Sequence, residues 1–272
     1  MLSIITATYD RPELLRENCL DSLLKQSDTN FEWVVINDGK NKDTKKIVEK
    51  HFNDLNIVYK EIMHKGVCCA RNLGLKLASG DYISYLDDDN KLADDYVEKI
   101  NNYISQNSDV KMILPIRNQR RDVYKDNVLV KTGKEFTQPK IGATDDDFLE
   151  ERSNAFFDSN GFVHKKNSSL HFNEKLLILS DYELLLQCYS LWGLNSLKIL
   201  NEKLVTYIQR SYGIIGRSRY IDWAKELEYI YKSKDKYKVF KNYNSFDWMK
   251  EKIEEFYDKA GRNESLRGFE SL

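Results

Sequence analysis

The sequence predicts an α/β fold built on a mostly parallel sheet, and three observations carry that prediction. Short apolar and β-branched runs alternate with stretches of helical period through roughly the first 100 residues. Several of these runs end on acidic turns, which is how strands present ligands at their carboxyl ends. The 272 residues hold only 3 Pro and 12 Gly, with 41% hydrophobic and 12% aromatic content, so a collagenous, linker-rich or disordered chain is excluded.

The elements follow in order. Leu2 to Thr8 reads as a strand, and Asp10, Pro12 and Glu13 open a helix carried by Leu14, Leu15, Cys19, Leu23 and Leu24. Glu32 to Ile36 is a second strand, closed by Asn37-Asp38-Gly39, with a helix from Asp43 to Phe52 behind it. A strand at Asn56 to Glu61, a helix at Val67 to Ala78 and a strand at Tyr82 to Leu86 complete the βαβ grammar. A helix to Gln106 and a strand at Val110 to Ile116 come next. Arg117 to Ser153 is polar and weakly periodic, which suggests a hairpin and a mobile loop on the acceptor side. A helix at Asp181 to Trp192 and strands near Ser196 and over Leu204 to Gln209 follow. From Ser218 onward the pattern is amphipathic helix, with Ile221, Trp223, Leu227, Ile230 and Tyr231, then Phe246, Met249, Ile253 and Phe256. Core packing is the first reading of that face; dimerisation and attachment to a membrane surface are the alternatives.

Charge and cysteine usage exclude whole classes of function. Lys+Arg 42 against Asp+Glu 43 gives a net charge of -1, so no basic field favours nucleic acid. The opening MLSIITATYDRPE has no basic segment before its short apolar run and is not expected to act as a secretory signal, which points to a cytoplasmic location. Cys19, Cys68, Cys69 and Cys188 form no C-x-x-C pair and read as reduced thiols. His51, His64, His164 and His171 show no metalloprotease spacing.

The strongest chemical feature is Tyr85-Leu86-Asp87-Asp88-Asp89-Asn90, an apolar strand that runs into three carboxylates. Like charges so close need a cation or hydrogen-bond donors. Hard Mg²⁺ or Mn²⁺ prefers one or two carboxylates completed by phosphate oxygens, so the triplet suits a nucleoside diphosphate. In a parallel sheet Asp38 would face the same edge.

With these pieces in place, the chain resembles a family 2 glycosyltransferase of the GT-A fold. The resemblance rests on Ser3 to Arg11, Gln26-Ser27, Phe31 to Gly39, Gly66-Val67-Cys68-Cys69-Ala70-Arg71-Asn72-Leu73-Gly74, Ala78 to Ile83 and Tyr85 to Asn90, in the family's order over about residues 2–100. It implies that Ala7, Tyr9 and Arg11 lie on a loop against the nucleobase and that Asp38 reads the base. It also implies that Arg71 lies beside the nucleotide, that Asp87 lies near the ribose with Asp88 in the same nucleotide-binding set, and that Asp89 binds a divalent metal on the diphosphate. A second match, Phe172-Asn173-Glu174-Lys175-Leu176 followed by Ser180-Asp181-Tyr182-Glu183-Leu184, implies Asp181 as catalytic base. Ala7, Asn37, Lys40 and Ser180 depart from the family's usual residues. Arg210 stands where some members place a metal-binding histidine, and it is grouped with His164 on the acceptor side. The Gln-x-x-Arg-Trp signature of polymerising members is absent, which favours transfer of a single sugar.

The resulting expectation is a GT-A domain over residues 1–215, with a donor half at 1–117 and an acceptor half at 118–215, and a helical appendage at 216–272. The expected reaction is inverting and metal-dependent, from a UDP-sugar first and a GDP- or dTDP-sugar second, to a glycan, glycolipid or other hydroxyl acceptor. Peripheral contact with the inner membrane face, or a homodimer, would involve the C-terminal helices. The rival classes are a nucleotidyltransferase and a non-catalytic nucleotide- or sugar-binding module. Thr6 to Arg11 lacks the glycine-rich phosphate loop of the former, and Asp89 and Asp181 argue against the latter.

Overall fold

A computed structural model describes residues 1–126, 128–146, 157–238 and 247–264. Strand β1 (Leu2–Thr8) feeds a helix, α1, made of Pro12–Leu14, a π-helical Leu15–Leu20 and Asp21–Leu24. Pro12 sits in the first turn, where its missing N–H is not needed. Then come β2 (Phe31–Asn37), α2 (Lys42–Glu49), β3 (Asn56–Glu61), α3 (Val67–Leu77) and β4 (Tyr82–Tyr85). Short β5 (Lys91–Leu92) and α4 (Tyr96–Gln106) close the first half.

The second half is built differently from its expected pattern. Strand β6 (Met112–Lys125) continues nine residues beyond Ile116 and pairs with β7 (Val128–Lys131) and β8 (Phe136–Gln138). The polar run from Arg117 is therefore largely strand, because its backbone is paired on both sides and its charges find buried partners. Residues 147–156 and Phe246 lie outside the described residues. After β9 (Val163–Lys165) and α5 (Ser180–Trp192), the two expected strands are one, β10 (Leu197–Arg210). Register shifts between Leu200 and Lys203 and between Lys203 and Val205 absorb the polar residues that made it read as two. Helices α6 (Ile214–Arg217), α7 (Tyr220–Lys232) and α8 (Asp247–Gly261) follow.

The sheet order is β3-β2-β1-β4-β9-β6-β10-β5. Strand β1 lies parallel to both β2 and β4, so the residues that follow all three strands emerge at one edge. Strand β9 runs antiparallel to β4 and β6 and joins this block to the parallel β6 and β10 pair. The result is a curled, mostly parallel sheet flanked by helices.

Successive residues of the strands point to opposite faces and build two cores. Ile5, Val34, Ile36, Ile83 and Tyr85 face one apolar cluster; Ile4, Trp33, Val35 and Tyr82 face the other. Gly74 lets α3 lie against β1, since a Cβ there would stand 2.5 Å from Ile5 Cγ2. The C-terminal helices share the first cluster. Trp223, Leu227 and Ile230 of α7 and Met249, Ile253 and Phe256 of α8 are buried in it with Tyr182 and Leu185 of α5. Among the described residues, no helix is long and apolar enough to cross a membrane.

Candidate active site

Strand β4 ends at Tyr85, and the chain turns at once into Asp87, Asp88 and Asp89 at the carboxyl edge of the sheet. Each carboxylate has its own guanidinium. Arg71, buried on α3, donates to Asp87 Oδ1 at 2.6 Å and to Asp181 Oδ1 at 2.7 Å, so one side chain joins two carboxylates distant along the chain. Arg11, in the turn after β1, donates to Asp88 Oδ1 at 2.5 Å and to Asp89 Oδ2 at 3.3 Å. Arg210, at the end of β10, donates to Asp89 Oδ2 at 2.8 Å. Thr8 adds a hydroxyl donor to Asp88 Oδ2 at 2.7 Å.

Four carboxylates thus meet three guanidinium groups, and burial decides the outcome. For Asp87, burial raises the pKa, but Arg71 and Asn160 outweigh it and hold the carboxyl below its usual range. For Asp88, burial prevails over Arg11, and with Asp89 nearby the carboxyl is pushed up to about 7. Asp89 is raised too, by burial and against Arg11 and Arg210. Arg11 and Arg210 thus fall short of offsetting the burial of Asp88 and Asp89. That shortfall, together with hard oxygen donors, fits a divalent cation. No group of three His, Cys, Asp or Glu among the described residues forms a ready cage; Asp89 could offer a carboxylate to such a cation, with phosphate and water as further ligands. No guanidinium among the described residues reaches Asp89 Oδ1.

Asp181 lies in the first turn of α5, buried, and its position is fixed from two sides. Arg71 holds one oxygen, and Ser159 donates its hydroxyl to the same Oδ1 at 3.2 Å. Burial raises the Asp181 pKa, Arg71 opposes it, and Asp158 and Asp87 add to the rise, which brings it to about 6. The turn that carries Ser159 is stitched to the acidic triplet by Asn160, whose Nδ2 donates to Asp87 Oδ2 at 2.8 Å and whose Oδ1 accepts from the Asp87 N–H at 2.7 Å. Gly161 follows with φ +72°, a conformation that glycine adopts without strain. Behind it, fully buried Arg117 of β6 donates to Asp158 Oδ1 at 3.0 Å.

On the far side of the edge, Asp38 directly follows β2, buried, and accepts the backbone N–H groups of Lys65 and Gly66, each at 2.7 Å. Tyr9 is 46% exposed beside it and stacks on His64. Ala7, on β1, is half-buried.

The structure thus brings Tyr9, Arg11, Asp38, Arg71, Asp87, Asp88, Asp89 and Asp181 to one edge. Two residues stand elsewhere than expected. His164 is not on an acceptor surface. It is fully buried on β9, where Nδ1 donates to the Lys165 carbonyl and Nε2 accepts from the Tyr85 hydroxyl. Burial lowers its pKa to about 4, so it is a neutral core residue. Arg210 joins the acidic triplet rather than the acceptor side. Sequence reasoning passed over Thr8, Asp158, Ser159 and Arg117, whose positions depend on contacts distant along the chain. Asn160, four residues before His164, anchors Asp87.

Known proteins share this architecture. A model of the family described as "Glycosyl transferase family 2" matches residues 3–168. A 101-residue stretch is 37% identical to the glycosyltransferase GlyA of Streptococcus pneumoniae, over 36% of this chain but only 14% of that protein. An uncharacterised glycosyltransferase of Methanocaldococcus jannaschii is 26% identical over 202 residues, which are 69% of this chain and 64% of that one. The chain therefore spans a small part of the first relative and about two thirds of the second. Among solved structures, S. aureus TarS 1-349 in complex with UDP-GlcNAc superposes with a TM-score of 0.67 at 19% identity, over 96% of this chain and 72% of that one. The mannosyltransferase PcManGT from Pyrobaculum calidifontis, in complex with GDP-Man and Mn²⁺, gives 0.57 at 15% identity, over 98% and 76%. At such identities the likeness speaks for the fold, which is GT-A. With strands β1, β2 and β4 and the acidic triplet inside the matched segment, the chain belongs to glycosyl transferase family 2.

Proposed function

We propose that the protein transfers a single sugar from a nucleotide-sugar to an acceptor hydroxyl, with inversion at the anomeric carbon and with the help of a divalent cation. The observation that carries the reading is the double contact of Arg71, which ties Asp87 of the acidic triplet to Asp181 across the strand-end edge. A donor-side carboxylate and a candidate base are thereby held as one unit.

In this reading residues 1–117 bind the donor, residues 118–215 face the acceptor, and residues 216–272 form a helical appendage. Tyr9 offers a ring face to the nucleobase, and Asp38 a carboxylate to a ring N–H. Asp87 accepts from the ribose. Arg11 and Arg71 face the phosphates, for which a guanidinium is a bidentate partner. Asp89 would hold Mg²⁺ or Mn²⁺, which supplies charge neutralisation to the departing diphosphate. Asp181 takes the proton of the acceptor hydroxyl as that oxygen attacks. Its pKa, about 6, puts a base near neutral pH that is ionised yet still able to accept a proton. Ser159 and Arg71 fix the direction of its lone pairs.

A UDP-sugar is the first donor class on this reading, with GDP- and dTDP-sugars next, and the acceptor is a glycan or glycolipid hydroxyl. A thermal-shift panel of UDP, GDP, dTDP and CMP, with and without Mn²⁺, tests it on the wild type and on Asp89→Ala. One nucleotide should raise the melting temperature of the wild type, and the rise should need both Mn²⁺ and Asp89. Absence of a shift with every nucleotide would overturn the donor-site assignment.

A further inference from the structure

The ring of Tyr9 does not stand free. His64, in the loop between β3 and α3, stacks on it with centroids 4.1 Å apart and planes inclined by 24°. The same imidazole turns an edge to Asp38, with Nδ1 3.3 Å from Oδ2. A flat heteroaromatic ring on Tyr9, with a ring nitrogen facing the Asp38 carboxylate, has the two contacts that the proposed donor site offers a nucleobase. Insertion of a third ring between Tyr9 and His64 would need about twice the present separation.

We infer that His64 occupies the nucleobase position of the ligand-free donor site and so sets the affinity and selectivity for the nucleotide, because a base must displace the imidazole from both Tyr9 and Asp38. The inference rests on the donor-site reading given above. Three features make the displacement feasible. His64 has a side chain 60% exposed, so its ring moves into water without disturbing the core. Asp38 stays in place when the imidazole leaves, because the Lys65 and Gly66 N–H groups hold both of its oxygens. Each oxygen has a further lone pair, so a base N–H finds an acceptor already oriented. The selectivity follows from the exchange. A base that stacks on Tyr9 but presents no N–H to Asp38 recovers only one of the two contacts that the imidazole gives up.

Calorimetric titration of UDP, GDP and dTDP in the presence of Mn²⁺ tests the inference on the full chain as wild type, His64→Ala, His64→Asn, Tyr9→Ala and the Tyr9→Ala/His64→Ala double variant. His64→Ala should bind the preferred nucleotide about 2- to 10-fold more tightly, the range expected from losing a competing aromatic stack. His64→Asn, which keeps a polar edge but no ring, should gain less. In the Tyr9→Ala background the gain from His64→Ala should shrink, because no ring face remains to be uncovered. An unchanged affinity in His64→Ala overturns the inference. A weaker affinity also overturns it and would make His64 a second wall around the base. If neither wild type nor His64→Ala binds any nucleotide, while both melt normally, the donor-site reading itself fails, which is a different result from a bound nucleotide that is indifferent to His64.

Discussion

Two parts of the molecule are equally well buried and owe their burial to opposite physics. At the strand-end edge, ionisable Asp88, Arg71, Asp181 and Arg210 lie out of water, Arg71 paired with Asp181, Arg11 with Asp88 and Arg210 with Asp89, and Asp88 and Asp181 are raised in pKa because the pairing does not fully compensate their burial. In the α7 and α8 pair, Trp223, Leu227, Ile230, Met249, Ile253 and Phe256 are buried as hydrocarbon, and rings such as Trp223 and Phe256 meet edge to face at 6.2 Å. Buried ion pairs contribute little net stability, because desolvation offsets their attraction, whereas apolar burial contributes in proportion to area. The edge thus positions charge at some cost to the fold, and the helices help hold the fold that bears it. Substitutions at the edge should affect turnover with modest effect on stability, and substitutions in the helix pair should do the reverse.

The largest effect expected from that contrast is on turnover. Asp181→Asn keeps the size of the side chain and removes the proposed base, so kcat should fall about 10²- to 10⁴-fold with nucleotide affinity nearly unchanged, as steady-state kinetics and calorimetry would show. A comparable loss in both kcat and melting temperature would erase the distinction between the two regions. Next comes Leu227→Ala, which opens a cavity in the helix pair and should cost about 2–5 kcal/mol in a denaturant titration, with kcat/KM close to wild type at a temperature where the variant is folded. Retention of stability would show that the helices contribute less to the core than their burial implies.

A smaller effect concerns pH. The carboxyl of Asp181 is raised to about 6, above the ordinary aspartate value of roughly 3.9, and only its ionised form accepts a proton. The kcat profile should therefore fall about tenfold per pH unit below about 6 and level off above it. The sign is fixed by the raised pKa: lowering the pH through that value protonates the base. A profile that stays flat down to pH 4 would mean that Asp181 titrates like an exposed aspartate, or that it is not the base.

The parts of the molecule legible in the sequence are those whose meaning is local. Asp38 and Asp87 to Asp89 each follow a strand that the alternation of apolar residues marks, so parallel pairing brings them to one edge. Arg71 lies on the helix between them, and Gly74 one turn later lets that helix approach β1. What was not legible depends on distant pairing. The polar run from Arg117 to Asp122 has the composition of a loop, but residues from Arg117 onward pair with Val205 to Arg210, and this parallel ladder brings Arg210 to Asp89. His164 lies in a short polar stretch that looks like surface, until insertion of β9 between β4 and β6 buries it against Tyr85. The stitching of Asp87 and Asp181 by Asn160 and Ser159 follows from the same insertion, and no local pattern announces it.

In the proposed reaction the strand-end edge holds a nucleotide-sugar for attack by a hydroxyl whose proton passes to Asp181. Release of nucleoside diphosphate from a panel of UDP-, GDP- and dTDP-sugars, followed with Mn²⁺ and with Mg²⁺ on wild type and Asp181→Asn, tests it most directly. One donor class should be turned over by the wild type, slowly with water and faster with an acceptor hydroxyl, and Asp181→Asn should bind the same donor but release its nucleotide at least about 100-fold more slowly in the presence of acceptor. Equal release by both proteins, or a donor bound and turned over only through residues away from this edge, would contradict it.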